Sequence, residues 1–334
     1  MRKTTEPPTA PLIRLAHPLA FAGLLRKVGA PVDRLFAHTG LPVYCDDPGA
    51  FVPLRRAWAL FDAAAQLEDS ALGWHVGRFV GDAQLSSGVL RKIEHAPTLY
   101  QALYSFIRLA RSESSQLDLR IVENRDNILF YTRYPMKDWS GYTSSQAYQL
   151  AVYIDIVRHY AGRDWMPPEI GIEAPIAPPV IHEHYPDSRI VTGHPFGYIA
   201  IPRSCLHYPS LGVAPIDTGN ELWPVAARTG FVGTVKAVAQ AYLADGYPSA
   251  HKVAEILDTS ERSLFRGLAD HGVAYQTLLD EVRIDAAKRL LREEGMTVGA
   301  VASHLGFSDA SNFARMFRRV CGLSPREYST SVQT

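Results

Sequence analysis

The C-terminal part of the chain repeats itself, and no other feature limits the possible folds as strongly. The first copy runs from Ser249 to Leu268 and the second from Thr297 to Phe317. Val253, Ala254 and Leu257 match Val301, Ala302 and Leu305 at an offset of 48, whereas Leu264, Arg266 and Leu268 match Phe313, Arg315 and Phe317 at 49. The second copy therefore carries one extra residue in its turn. Each copy reads as a helix-turn-helix. A small residue (Ala254, Ala302) lets the next helix approach closely, and a tight turn follows at Asp258-Thr259 or Gly306-Phe307. The second helix is then capped by Ser260 or by Ser308-Asp309. In such a motif the first residues of the second helix reach base edges in the DNA major groove.

Between the copies, Tyr275 to about Glu293 reads as one helix with Leu278, Leu279, Val282, Ala286, Leu290 and Leu291 apolar. At about 1.5 Å per residue it makes a strut of roughly 28 Å. The B-DNA repeat is about 34 Å. A rigid helix of this length can hold two recognition helices in successive major grooves.

This pair of motifs and its joining helix resemble the AraC/XylS family of bacterial transcription regulators over about Gly230 to Ser329. The most specific stretch is Gly306 to Tyr328: GF, a polar run, F-x-R-x-F, then G-x-S-P-x-x-Y. Leu279-Asp-Glu-Val-Arg283, with Ala286 and Leu290-Leu291, fits the family's linker helix. Carried over by position, the resemblance implies that the first recognition helix presents Arg262, Ser263, Phe265 and Arg266, and the second Ala310, Ser311, Asn312 and Arg315. Arginine suits guanine, asparagine suits adenine, and Phe or Ala suits a thymine methyl. Ser308, the helix N-termini, Arg318 and Arg319 are expected on phosphates. Arg318-Arg319 can also be read as a solvated face. Leu264, Leu268, Phe313 and Phe317 fall on the inward phase and are expected in the core. Gly267 departs from the pattern. A mid-helix glycine costs about 1 kcal/mol against alanine, so the first motif is expected to bind more weakly.

The rest of the chain has a different character. Residues 1–11 read as a loose polar tail, and His17 to about Arg111 as helical. Leu54, Ala57, Trp58, Phe61, Ala64 and Leu67 mark the clearest helix, Asp69-Ser70 is expected to cap another through about Phe79, and Pro97 to open a third. The period then shifts to two. Leu117, Leu119 and Ile121 alternate with polar residues, 123–127 supplies a turn, and Ile128 to Tyr134 returns as the second arm of a β-hairpin. Ser144 to Tyr160 is helical again, and short strands are expected near 169–173 and 197–201. The expected architecture is an α+β domain over 12–210, a proline-interrupted linker over 211–228, and an all-α domain over 229–332. The first domain resembles the arabinose-binding-type, helix-rich sensing domain of the subgroup that includes regulators of amino-acid and amine catabolism. The similar features are Gly29-Ala-Pro-Val-Asp33 to Gly40-Leu-Pro42, Ala71-Leu-Gly73, Pro97-Thr-Leu99 and Pro195-Phe-Gly197. A cupin-like barrel is not what this helix-first order suggests.

A small-ligand pocket needs apolar walls and a few polar anchors. Tyr131, Arg133, Trp139 and Tyr142 near the end of the hairpin, with Arg111, are the candidates, and Arg111, Arg133 or Tyr142 would anchor a carboxylate. Aromatic residues in such a run can equally be ordinary core. Thirty-four basic residues balance 34 acidic ones, and from Arg228 onward 13 basic residues face 12 acidic ones. Coating of nucleic acid or membrane by bulk charge is excluded, and placed arginines must carry any affinity for DNA. The three cysteines, Cys45, Cys205 and Cys321, form neither a disulfide framework nor a CxxC zinc pattern, which indicates a reducing compartment. No apolar leader or membrane-spanning run is present, so a cytoplasmic protein without membrane contact is expected. GxSxG, HExxH and a glycine-rich phosphate loop are missing, so no enzyme, cofactor or resident metal is expected. The reading is a transcription regulator, most simply an activator working with RNA polymerase on double-stranded promoter DNA. A small metabolite such as an amino acid or amine would control it, and pairing of two chains as a homodimer is compatible with this reading. The alternative is a metal- or redox-responsive regulator using His182, His184 and His194 or Cys45, with His207, Asp187 and Cys205 close by.

Overall fold

Apolar residues at three- and four-residue steps make the first part of the chain helical, as expected. In the computed structural model, which describes residues 9–67, 72–77, 87–210, 230–246, 248–292 and 295–331, a short strand β1 (Leu12–Arg14) leads into α1 (Ala16–Lys27) and α2 (Val32–Thr39). Strand β2 (Phe51–Pro53) runs straight into α3 (Leu54–Leu67), and α4 (Leu72–Gly77), α5 (Ser87–Glu94) and α6 (Leu99–Leu109) follow. Thr98 caps α6 by accepting from the Gln101 N–H at 3.4 Å. The Asp69-Ser70 cap and the 211–228 linker lie outside the described residues.

The hairpin forms where the period changes to two. β3 (Asp118–Glu123) and β4 (Asn127–Arg133) pair antiparallel, with Asp118 opposite Arg133 and Glu123 opposite Ile128. Helix α7 (Tyr142–Ala161), β5 (Glu169–Gly171), α8 (Pro179–His184), β6 (Arg189–Val191) and β7 (Tyr198–Pro202) complete this part. The sheet order is β3-β4-β7-β5-β6, antiparallel except for β5 beside β6. β6 was not legible: three residues are too few for a period to show. The His182 region is helical, because Pro178-Pro179 sets a helical start with proline at its first turn.

Helix α7 is the centre of this unit and is buried on most of its circumference. Helix α4 lies against it at backbone contact. A Cβ on Gly73 would stand 2.3 Å from the Ser144 carbonyl oxygen, and one on Gly77 would stand 2.4 Å from the Ala151 Cβ.

The C-terminal helices are α9 (Phe231–Ala241), α10 (Ala250–Ile256), α11 (Glu261–Asp270), α12 (Tyr275–Arg292), α13 (Val298–His304), α14 (Ala310–Cys321) and α15 (Pro325–Ser331). The repeat is visible in the turns. Gly306 has φ 73°, and the corresponding Asp258 takes φ 52°, the one non-glycine with positive φ among the described residues. Leu264, Leu268, Phe313 and Phe317 are buried, as their phase required. Gly267 also has a reason. A Cβ there would meet the Phe231 ring at 2.5 Å, so glycine is what allows α11 to close on α9.

The chain divides into two compact units, one of residues 11–39 and 54–226, the other of 1–10, 40–53 and 227–334. Residues 40–53 thus pack with the C-terminal helices rather than with a continuous 12–210 body. The Val43 and Tyr44 N–H groups both donate to the Asp245 carboxylate at 2.8 Å. Tyr242 OH donates to the Gly40 carbonyl at 2.6 Å, and Arg289 pairs with Asp47 at 3.2 Å. Polar contacts some two hundred residues apart in sequence leave no local periodicity to read. No helix among the described residues is long and apolar enough to cross a membrane.

Candidate functional site

The second helix of each repeat is capped as its sequence dictates. Ser260 Oγ accepts from the Ser263 N–H at 3.1 Å, and Asp309 Oδ1 from the Asn312 N–H at 2.7 Å. Capping orders the first turn, where base-reading residues would stand. On α11, Arg262, Phe265 and Arg266 are exposed and Ser263 is half-buried. Phe265 keeps 47% of its surface open, which is unusual for so large an apolar side chain, and its edge leans on Tyr275. On α14, Ala310, Ser311 and Arg315 are exposed and Asn312 is half-buried. Asn312 Nδ2 donates to Ser308 Oγ at 3.0 Å and to Asp309 Oδ2 at 2.6 Å, while Arg315 donates to Asn312 Oδ1 at 2.5 Å. These residues form one pre-ordered polar surface.

Both arginines at the end of α14 are exposed, Arg319 with 68% of its side chain open. Arg319 pairs with Asp280, a carboxylate almost enclosed on α12 that also accepts from Gln276 at 3.2 Å. Arg319 therefore fixes α14 against the connecting helix. Arg283 does similar work on the other side of the turn, its guanidinium lying 4.4 Å from the centre of the Phe307 ring.

The five ligand-binding candidates separate in the same way. Tyr131 is buried and stacked on Phe196 at 4.2 Å. Trp139 lies edge-on to Trp58 at 5.9 Å, with the Arg55 guanidinium 5.6 Å above it. Tyr142 OH donates to Glu173 at 2.5 Å, and Gln146 Nε2 and Lys137 Nζ donate to the same carboxylate at 3.1 and 2.5 Å. Burial first, then the Glu173 bond and charge, drive the Tyr142 hydroxyl far above the ordinary phenol range. These three residues are held by their neighbours. Arg111 and Arg133 remain, and both line one recess beside the hairpin.

The histidines do not converge. His182 and His184 stand two residues apart on α8, which turns their side chains about 200° from each other. The His184 ring faces His75 at 5.3 Å, and His194 Nδ1 lies 2.8 Å from the Phe196 carbonyl. Among the described residues no group of three His, Cys, Asp or Glu side chains is placed to hold a metal. Burial pushes the Cys45 thiol up to about 11 from 9.0, and the charges of Asp47, Asp46 and Asp245 add to this against a backbone hydrogen bond from Asp47. Two units leave about a hundredfold less thiolate at pH 8. Alkylation of Cys45 by iodoacetamide at pH 8 is expected to be about a hundredfold slower in the native chain than in the urea-unfolded chain, read by peptide mass spectrometry. Comparable rates would return Cys45 to the redox candidates.

Two family descriptions match the chain. A helix-turn-helix domain matches residues 253–331, and the N-terminal arabinose-binding domain of AraC transcription regulators matches residues 29–210. The second match alone spans more than half of the 334 residues. The chain belongs to the AraC family of transcription regulators. An uncharacterized HTH-type transcriptional regulator of Mycobacterium tuberculosis is 28% identical over 361 residues, covering 96% of this chain and 98% of the relative. The ornithine utilization regulator of Pseudomonas aeruginosa is 26% identical over 341 residues, covering 96% and 97%. The HTH-type transcriptional activator RhaS of an Enterobacter species is 38% identical over 76 residues, covering 22% and 27%. An AraC-family chain of this make-up is a DNA-binding transcription regulator with an N-terminal ligand-binding domain.

Membership also explains residues that are not contacts. In the G-x-S-P-x-x-Y stretch, the Ser324 N–H donates to Glu327 at 2.7 Å and the Glu327 N–H to Ser324 Oγ at 3.3 Å, a capping box that starts α15. Tyr328 packs on Phe317 at 5.6 Å and accepts from Arg292 at 3.0 Å. The signature thus pins the last helix to α12 and α14. Asp280 and Glu173 were missed by sequence reasoning, since an acidic residue on a helix or at a strand end looks like any solvated charge until its partner is known.

Proposed function

We propose that this AraC-family chain is a sequence-specific transcription activator. Residues 12–210 bind a small metabolite, and residues 229–332 grip promoter DNA through two helix-turn-helix units. The observation that carries this reading is the placement of two capped, polar-faced helices, α11 and α14, either side of a single helix α12 of 18 residues. Eighteen residues rise about 27 Å, the order of one DNA turn. Arg262, Phe265, Arg266, Ser311, Asn312 and Arg315 then read bases, while Arg318 and the helix N-termini hold phosphates. Arg319 orients α14 through Asp280, and its exposed side chain is also open to a phosphate.

The regulation follows from the first unit. The resemblance to an ornithine utilization regulator supports an amino acid or an amine as effector. The resemblance to the RhaS activator supports activation, hence contact with RNA polymerase. Pairing of two chains through the N-terminal unit belongs to the same reading. The metabolite acts by binding two arrangements of the protein with different affinity.

The test starts from duplexes selected by the full chain out of randomised DNA. Arg315→Ala is expected to cost about 1–3 kcal/mol at fixed salt and to relax one base position. Fluorescence anisotropy across single-base variants reads both. Uniform weakening on every sequence would make Arg315 a phosphate contact. A chain that shows no salt-dependent, sequence-selective binding would remove the reading.

A further inference from the structure

Among the described residues of the N-terminal unit, two cavities border the β3–β4 hairpin, and they differ in kind. The one between α7 and the sheet is lined by Thr132, Tyr134, Gln149 and Tyr153 among others, and holds about 10 Å³, room for one water. Its polar groups are committed to each other: Thr132 Oγ1 bonds Tyr153 OH, and Tyr142 and Gln146 are spent on Glu173. The second is an open recess of about 340 Å³, a size suited to a small metabolite. Arg111 reaches it from the turn that ends α6, Arg133 from the last position of β4, and Asp118 from the first position of β3.

The charges of this recess are unbalanced. Among the described residues neither the Arg111 nor the Arg133 guanidinium has a hydrogen-bond or ion-pair partner. Asp118 stands directly opposite Arg133 in the β3–β4 register, yet its Oδ2 is paired with Arg120 at 3.0 Å. That pair is exposed on both sides and holds weakly. Two guanidinium groups facing one recess repel each other until an anion lies between them. A carboxylate fits, because each planar fork can offer it two parallel N–H groups. Asp118 supplies the opposite need, an acceptor for a cation on the wall of the same recess. Tyr134, buried beneath, and Pro135 give the apolar part of the lining.

We infer that this recess is the effector site and that it takes a small α-amino acid, its carboxylate on Arg111 and Arg133 and its ammonium toward Asp118. The inference rests on the sensing role proposed for the N-terminal domain and names its ligand class.

Calorimetric titration of the full chain with the protein amino acids and L-ornithine tests it. At least one is expected to bind. The matching amine without a carboxylate (putrescine for ornithine) is expected to bind at least tenfold more weakly. Arg111→Ala or Arg133→Ala should weaken the bound amino acid at least tenfold, with the melting temperature of the unliganded chain unchanged, and Asp118→Asn should do so selectively for ligands that carry the ammonium. Binding that neither arginine substitution alters would overturn the site. Equal binding of the amine would overturn the carboxylate, and the absence of any amino-acid binder would overturn the ligand class. If an amino acid binds through these residues but leaves affinity for the selected DNA unchanged, the site stands and the metabolite-controlled switch does not.

Discussion

Glu113→Ala is expected to destabilise the N-terminal unit by about 3–5 kcal/mol. The carboxylate is completely buried, which a lone ion could not tolerate. It is met by the Arg14 guanidinium and the His17 ring, both from the start of the unit. Arg14 Nε lies 3.5 Å from one oxygen and His17 Nε2 3.4 Å from the other. Both partners are themselves pinned: Arg14 Nε donates to the Ser112 carbonyl at 2.8 Å, and His17 Nδ1 lies 2.9 Å from Tyr148 OH. The backbone runs alongside, with the Arg14 N–H donating to the Glu113 carbonyl at 2.9 Å and the Ser115 N–H to that of Leu12 at 2.9 Å. Alanine would take the Glu113 charge from the nearly enclosed Arg14 guanidinium and leave it and the His17 ring facing an empty space. Glu113→Gln keeps the volume and one acceptor and is expected to cost less. The four described tryptophans, Trp58, Trp74, Trp139 and Trp165, all belong to this unit, so tryptophan fluorescence follows its urea unfolding in the full chain. A loss under about 1 kcal/mol in both variants would mean that the group contributes no more than a surface pair does. Glu113 also stands two residues from Arg111, so the same cluster sets the turn that presents Arg111 to the recess.

The C-terminal unit could be read closely because its information is local. Val301, Ala302, Phe313 and Phe317 repeat at helical spacing, Ser260 and Asp309 are caps within three residues of what they cap, and the turn between each pair of helices needs one left-handed residue. The hairpin was legible for the same reason, since alternation from Leu119 to Ile121 is a signal over a few residues. What could not be read is what depends on distant partners. Gly267 looked like a weak point in a helix, and only the Phe231 ring across from it shows that a side chain has no room there. Arg319 reads as a surface cation in the sequence, and its pairing with Asp280 on α12 shows only in the fold. Of the aromatic run after the hairpin, Tyr131, Trp139 and Tyr142 had the composition of a pocket, but composition does not say which groups are already spent. Arg111 and Arg133 were legible as charges flanking the hairpin, and the fold brings both to one recess. Asp118 was visible as the polar residue alternating with Leu117 and Leu119, and its place opposite Arg133 required the register.

Gly141→Ala is the second substitution with a large expected effect, again about 3–5 kcal/mol and again confined to the N-terminal unit. Gly141 precedes α7 with φ 77°, which costs an L-residue about 1–2 kcal/mol by itself. The greater part comes from what stands in front of it. A Cβ would lie 1.9 Å from the Trp58 carbonyl oxygen and 2.6 Å from its carbonyl carbon. These are backbone atoms in the first half of α3, so no rotamer change relieves the overlap. Trp58 is completely buried, with Tyr134 at 5.1 Å, Tyr142 at 5.6 Å and Trp139 at 5.9 Å around its ring. To admit one methyl group, α3 and the start of α7 must separate, and the aromatic cluster between them opens. Gly29→Ala separates the two causes. Gly29 has φ 79°, but no atom lies within 4 Å of where its Cβ would stand. It should show the backbone penalty alone, about 1–2 kcal/mol. The tryptophan-detected urea midpoint is expected to fall for Gly141→Ala by at least twice as much as for Gly29→Ala. Equal shifts would mean that left-handed backbone geometry, and not the close approach of α3, is what requires glycine at the head of α7.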